Sequence, residues 1–353
     1  MEKKLKIAIV TIISYNYGNR LQNYALQETL RKLNVQVETI PVEIKYNLKG
    51  KIKLWIKTIV APVMKRYSGV CWDLFDQNIR WSRYTAADND VGTQYDYFVA
   101  GSDQIWNPNF EFNSDREFLT FASKEKRIAY SASIGLDELP YNEIDRYRRH
   151  ISAFKAVSVR EKSAADIVES LVCIRPEVVL DPTMLLSVEQ WKVVINQSKL
   201  KIKKRYAVAY FLGIRTAEFD SYITKKAAEM GIALIDIMSL PCDIKNKIGP
   251  AEFVSLLYNS EAVFTDSFHG TVFSILFHKP FIVFERPYEE GYGRMSSRLD
   301  TLLETFKLNE RRVNSTDQLK MLELKCDFFN TDEILKEERK KSIGFLEGAL
   351  NNY

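Results

Sequence analysis

Residues 261–285 read EAVFTDSFHGTVFSILFHKPFIVFE, and this stretch decides the fold. Ala262–Thr265 is a short apolar run of strand type. Gly270–Phe277 is apolar at helical length and stops at His278-Lys279-Pro280, where proline cannot continue a helix. Phe281–Phe284 is a second apolar run of strand type. Strand, turn, helix and strand in that order make a βαβ unit. The turn is Asp266-Ser267-Phe268-His269-Gly270. In an open α/β sheet, ligands sit outside the carboxyl ends of the strands, where this turn falls. A helix that begins there offers N–H groups and a positive dipole end to an anion. His269 stands beside that anion site. The chain has only three histidines, and this is the one placed for chemistry.

The same grammar extends outward. Leu5–Ile13 is a continuous apolar strand of the kind buried on both faces of a parallel sheet. A turn-rich loop follows, with Tyr15–Arg20 on the ligand-facing edge. Leu21–Leu33 has helical spacing and Val35–Ile40 is the next strand. The glycine pattern of a dinucleotide fingerprint is missing. Tyr97–Ala100 is a strand closed by Gly101-Ser102-Asp103-Gln104. Arg127–Ser133 and Ala156–Val159 follow, with Arg160 at the end of the latter. Lys162–Leu171 is helical in spacing, and Val178–Leu180 runs into Asp181-Pro182-Thr183. A fresh α/β series starts after Pro182–Ser187: strand Tyr206–Leu212, helix Ala217–Met230, strand Ile232–Met238, helix Ala251–Tyr258, then the βαβ unit. The tail from Ser315 is charged and helical in pattern, strongest at Glu333–Leu350. The division predicted is 1–184, 185–320 and a tail 321–353 packing back on both. The fold class is α/β, two doubly wound halves with their ligand edges facing a shared cleft, a favoured place for a site.

Composition sets the outer bounds. At 353 residues the chain exceeds what one core ordinarily supports. Fifty basic against 46 acidic residues leave +4, too little to argue for nucleic acid. Four cysteines without short spacing predict a reduced, cytosolic protein with neither disulfide framework nor zinc site. The apolar run after Met1-Glu2-Lys3-Lys4 is too short for a secretory leader, and no run of about twenty apolar residues exists for a membrane span. No Walker lysine motif and no metal-ligand spacing is present, so neither a P-loop site nor a metal is expected. Lys45–Ser68 differs from its surroundings. It carries Lys45, Lys49, Lys51, Lys53, Lys57, Lys65 and Arg66 with no acid, interleaved with Trp55 and aliphatic residues. Such a segment either packs its apolar side on the first half or lies loosely on an anionic membrane surface.

Each candidate residue has a plain alternative. His269 could be a buried helix-capping histidine, though its turn favours chemistry. His150 lies among Arg146, Arg148 and Arg149 and is expected to be solvated. His278 at a helix end is expected to be structural. Arg160 either caps the sheet edge or grips a carboxylate or phosphate, the task arginine does best. Arg294 and Arg298 follow the loop Glu289–Gly293, and one of them is expected to bind substrate. Read without further context, the residues describe a two-domain α/β protein with an anion site, a histidine and several arginines in a cleft.

The ordered series of segments is more specific. IAIVTIISYNYGNRLQNYAL (7–26), DYFVAGSDQIWNP (96–108), IAYSASIG (128–135), AVSVREKSAADIV (156–168), VVLDPTMLL (178–186), TDSFHGTVFSILFHKPFIVF (265–284) and RMSSRLDTLL (294–303) together resemble the polysaccharide pyruvyl transferase family. The resemblance covers about residues 5–305. It implies a GT-B-like pair of Rossmann-like halves. It also implies transfer of a pyruvyl group from phosphoenolpyruvate to two hydroxyls of a sugar, without a cofactor or metal. Carried over residue by residue, the family's histidine in an HG turn is His269, and its arginine in an SVR-like segment is Arg160. Its second basic residue is Arg298, with Arg294 in reserve. Ser267, Gly270 and Thr271 complete the expected donor site. Tyr17, Asn19, Arg20, Asn23, Ser102 and Asp103 form the expected acceptor side. Some members carry Arg-Leu before the histidine, where this chain has Ser267-Phe268. The resemblance implies a cytoplasmic enzyme with a sugar or lipid-linked saccharide acceptor. The rival readings are a GT-B glycosyltransferase using a nucleotide sugar and an inert glycan-binding relative.

Overall fold

The computed structural model describes residues 4–41, 70–110, 113–245, 247–286 and 297–351. The basic segment Lys45–Ser68, the loop Glu289–Gly293 and Arg294 lie outside the described residues.

The first half is built on β1 (Lys6–Val10), α1 (Tyr17–Lys32), β2 (Gln36–Thr39), β3 (Tyr97–Ala100) and β4 (Arg127–Ala132). It continues through α2 (Ile144–Ile151), β5 (Ala156–Val159), α3 (Lys162–Val172) and β6 (Glu177–Val178). Its sheet runs β2-β1-β3-β4-β5-β6, with every pairing parallel. After α4 (Val188–Ile195) the second half gives β7 (Tyr206–Tyr210), α5 (Ala217–Glu229), β8 (Ala233–Asp236) and α6 (Pro250–Asn259). Then come β9 (Ala262–Thr265), α7 (Phe268–Leu276), β10 (Phe281–Phe284), α8 (Ser297–Thr305) and β11 (Arg312–Val313). Its parallel sheet is ordered β8-β7-β9-β10-β11. Both sheets therefore begin in the same way, with the second strand outside the first and the third on its other side. That order creates a crevice between β1 and β3, and another between β7 and β9, where successive connections leave on opposite faces. The strands are apolar on both faces because helices cover both: β3, β4, β7, β9 and β10 are buried at every position.

One apolar cluster runs through both halves and joins them. Tyr17 of α1 stacks on Phe253 of α6 at 4.6 Å and on Trp72 at 5.2 Å, and its hydroxyl reaches the Ile248 carbonyl. Trp191 of α4 lies between Tyr24 and Phe273. The tail helix α9 (Thr331–Asn351) lies across the junction. Arg339 donates to the carbonyls of Met184 and Leu186, Lys155 donates to that of Ala349, and Ser342 Oγ accepts from the Leu180 N–H. At its start Asp332 meets His278, which stacks on Phe328.

Three expectations change. The segment Tyr17–Arg20 is the first turn of α1 and not a loop, because the Asn16 side chain caps the Gly18 N–H at 2.9 Å and starts the helix early. α7 likewise begins at Phe268, capped by Ser267, two residues before the apolar spacing suggests. His150 is buried rather than solvated: it stacks on Phe118 at 4.9 Å and points Nε2 at Asp115. An arginine-rich helix face concealed it, since α2 turns those arginines outward and sideways while His150 faces the core.

Candidate active site

The first turns of α1 and α7 meet at the cleft. Gly18 is the point of contact: a Cβ there would stand 2.0 Å from His269 Nδ1. Only a residue without a side chain lets the two helix starts approach so closely. Between them opens a cavity of about 240 Å³, lined from the first half by Ile12, Ser14, Asn16, Asn19, Asp103, Gln104 and Phe110. The second half contributes Leu212, Ser267, Phe268, His269, Arg286 and Arg298.

His269 is 6% exposed, and its Nε2 has no hydrogen-bond partner. Asp181 Oδ2 lies 3.8 Å from that nitrogen, beyond hydrogen-bond reach but near enough for a strong Coulombic effect. Burial pushes the imidazole below its ordinary value. Asp181 and Asp103 oppose this shift, while Arg160 and Arg298 reinforce it. Burial is the largest of these causes, so the balance favours the neutral imidazole.

Arg160 leaves the end of β5 and is 3% exposed. One Nη sits 2.7 Å from Asp181, the other 3.2 Å from Asp103, and the guanidinium lies 4.3 Å over the Phe268 ring. Burial works against the charge, but Asp103 and Asp181 together raise its pKa. Asp103 follows β3 with φ 71°, a left-handed conformation that Asp tolerates better than most residues. It also accepts from Asn19 Nδ2 and from the Gln104 N–H. Burial would raise its pKa; Arg160 first, then His269 and Arg298, bring it down to about 2. Asp181 is held low in the same way by His269 and Arg160 against its burial, and accepts from Ser102 Oγ and from Thr183.

Arg298 opens α8 and is 9% exposed. Its Nε lacks a hydrogen bond, and among the described residues no carboxylate stands within ion-pair distance. It meets the Gln104 amide oxygen at 3.2 and 3.3 Å, once that amide is turned to suit its surroundings. Burial and then the like charge of Arg160 lower its pKa to about 10. Arg286, just past β10, also reaches the cavity. Asp266 holds it at 2.8 Å and accepts in turn from the Leu212 and Gly213 N–H groups.

The structure brings His269, Arg298, Ser267, Asn19 and Asp103 to one cavity. Arg160 and Ser102 stand immediately behind it. Four other expected site residues are spent elsewhere. Arg20 pairs with Asp76, and Asn23 accepts from Thr39 Oγ1. Tyr17 is part of the interdomain stack, and Thr271 Oγ1 donates to the Ser267 carbonyl. The N–H groups of Gly270 and Thr271 are both taken by Ser267, so the anion site read from those two N–H groups is not free. Gly270 has a different use, since a Cβ there would stand 2.4 Å from Thr265 Oγ1. Sequence reasoning missed Asp181, Arg286 and Gly18 as contributors. The first two each follow a strand end in sequence, and that position was the available signal. The Gly18 approach is a contact between halves and leaves no trace in the sequence. The described residues contain no group of three or more potential metal ligands, and no helix among them is long and apolar enough to cross a membrane.

The chain has solved structures of similar overall path. The UDP-GlcNAc 2-epimerase of Methanocaldococcus jannaschii is 13% identical over 94% of this chain and 99% of its own, with a TM-score of 0.50. That of Neisseria meningitidis, bound to UDP-GlcNAc, is 14% identical over 96% and 100%, with a TM-score of 0.49. A glycosyltransferase from Rickettsia africae is 12% identical over 99% and 100%, with a TM-score of 0.48. At such identities the likeness concerns the fold alone, a GT-B-like pairing of two parallel-sheet halves. No curated protein matches the chain. The model of the polysaccharide pyruvyl transferases matches residues 16–287, from the Asn16 cap of α1 to just beyond Arg286, and so takes in both helix starts that build the cavity. By that match, which covers most of its length, the chain belongs to the polysaccharide pyruvyl transferase family.

Proposed function

We propose that this protein transfers the pyruvyl group of phosphoenolpyruvate to two hydroxyls of a saccharide, forming a ketal during the assembly of a bacterial surface glycan on a lipid-linked acceptor. The observation that carries the reading is Arg298: a buried guanidinium with no carboxylate partner among the described residues, facing the same cavity as His269. A buried cation in that state is costly and is relieved by an anion that brings its own charge. Phosphoenolpyruvate brings two anionic groups. Among the described residues, Arg298 and Arg286 are the arginines that line the cavity, and each can take one group by a charge-assisted hydrogen bond.

In this reading the arriving phosphate favours the charged form of His269, which burial disfavours. The imidazolium gives its proton to the methylene carbon, and C2 gains cationic character. The first sugar hydroxyl bonds to C2 and passes its proton back to His269. The C2–O bond to phosphorus then breaks, and the second hydroxyl closes the ketal while its proton leaves with inorganic phosphate. Asp103 and Asp181 offset the charge on the histidine throughout.

The test is incubation with phosphoenolpyruvate and a panel of lipid-linked saccharides. Phosphate release should accompany an acceptor mass gain equal to pyruvic acid less one water. Phosphate release without that gain, or transfer of a sugar from a nucleotide instead, would reject the reading.

A further inference from the structure

Among the described residues two arginines line the cavity, and they come to it in different states. Arg286 follows β10 with its side chain 31% exposed. The Asp266 carboxylate accepts from its Nε at 2.8 Å, and the Asp266 carbonyl accepts from Nη2 at 3.1 Å. Its stem is closely packed, since a Cβ on Gly213 would stand 3.1 Å from Arg286 Cδ. Arg286 is thus fixed in place, and the aspartate that fixes it also offsets its charge. Arg298 is 9% exposed, and no carboxylate among the described residues stands within ion-pair distance of it. Asp103 and Glu161 act on Arg298 only from farther away, and they do not outweigh burial and the like charges of Arg160 and Arg286. The two cavity arginines are therefore near enough to repel each other, and one small molecule with an anionic group at each end would relieve both. The two anionic groups of phosphoenolpyruvate also differ. A phosphate monoester carries close to two negative charges at pH 7, and a carboxylate carries one. At Arg286 the Asp266 carboxylate would stand beside the incoming anion and repel a phosphate up to about twice as strongly as a carboxylate. At Arg298 no such neighbour is in contact, and burial strengthens the attraction by excluding water.

We propose that the donor binds in one orientation, with its phosphate on the buried Arg298 and its carboxylate on the more exposed Arg286. This rests on the pyruvyl-transfer reading and sharpens it by giving each anionic group its own residue. The C2–O bond that breaks then points toward Arg298, and its electron pair leaves with a phosphate already paired to that guanidinium. Arg298 stabilises the leaving group as its charge grows. Arg286 keeps the carboxylate, and with it the transferred carbon skeleton, in place while the sugar hydroxyls bond to C2. Inorganic phosphate then competes with the donor at Arg298, and pyruvate competes with it at Arg286.

Two measurements on the full chain test the orientation. In the first, inorganic phosphate and pyruvate are titrated separately by NMR against wild type, Arg298→Ala and Arg286→Ala. Arg298→Ala should weaken phosphate binding about tenfold and leave pyruvate within about twofold, and Arg286→Ala should do the reverse. The second needs neither fragment to bind and removes no charge from the fold. In it, the phosphorus NMR resonance of bound phosphoenolpyruvate should move in Arg298→Lys and keep its wild-type position in Arg286→Lys. The reverse pattern in either measurement, or equal losses of both fragments in both alanine variants, would overturn the orientation and leave donor binding standing. A wild-type protein that binds no phosphoenolpyruvate would reject the donor reading, and the orientation with it.

Discussion

Arg160 and Arg298 both act on His269, and their surroundings are opposite. Arg160 has one carboxylate on each Nη and an aromatic ring beneath it, and its pKa is raised. Arg298 has no carboxylate partner among the described residues, faces Arg160, and is held near 10. The first is a closed cluster that ties the ends of β3, β5 and β6 into one unit. The second is an open corner with a charge to offer. The same residue type, equally buried, is cement in one place and the proposed receptor in the other, and what separates them is which carboxylates the fold delivers. His269 feels both.

The largest effect is expected at the histidine itself. His269→Gln should lower turnover by about 10²–10⁴, the usual worth of a placed proton-transfer group, with the fold intact by circular dichroism. Gly18→Ala should reproduce much of that loss without touching the imidazole chemistry, because the added Cβ would displace the ring. A Gly18→Ala enzyme of near-normal turnover would show that the approach of the two helix starts does not position His269.

The two arginines should part company when each is removed. Arg160→Ala strands two buried aspartates and should cost about 3–5 kcal/mol in denaturant unfolding. Arg298→Ala should leave the unfolding midpoint unchanged or raise it, while weakening phosphoenolpyruvate binding about 10- to 100-fold by calorimetry. If Arg298→Ala unfolds as easily as Arg160→Ala, the contrast between cement and receptor collapses.

The smallest effect is a pH dependence of the closed cluster. Asp103 titrates at about 2 in the fold, below the ordinary carboxylate value. Its contribution to stability is fully present above the unfolded value near 3.9 and is lost as the pH falls through that value toward 2. Its size is on the order of 2 kcal/mol. Asp181, also lowered, acts in the same direction. Asp103→Asn should therefore be less stable than wild type at pH 6 and approach it near pH 2. A difference independent of pH would mean that Asp103 acts by its shape and not by its charge.

Local pattern was enough for much of this molecule. Apolar runs of four or five residues bounded by small or polar residues located β3, β5, β9 and β10 at their observed limits. A strand can be read in this way because burial on both faces forces every position to be apolar. The turn carrying His269 was legible for the same reason, as the one polar interruption between an apolar strand and an apolar helix. Caps were harder: Asn16 and Ser267 each begin their helix earlier than apolar spacing suggests, since a cap acts through one hydrogen bond and leaves no period. Pairing across the fold was not legible at all. Nothing near Arg160 in the chain announces Asp103 or Asp181, which are 57 and 21 residues away. Nothing near Arg298 announces that no carboxylate among the described residues comes to it. Charge pairing, burial and the contact of Gly18 with His269 depend on distances between residues remote in sequence, and only the packed tertiary structure sets those distances.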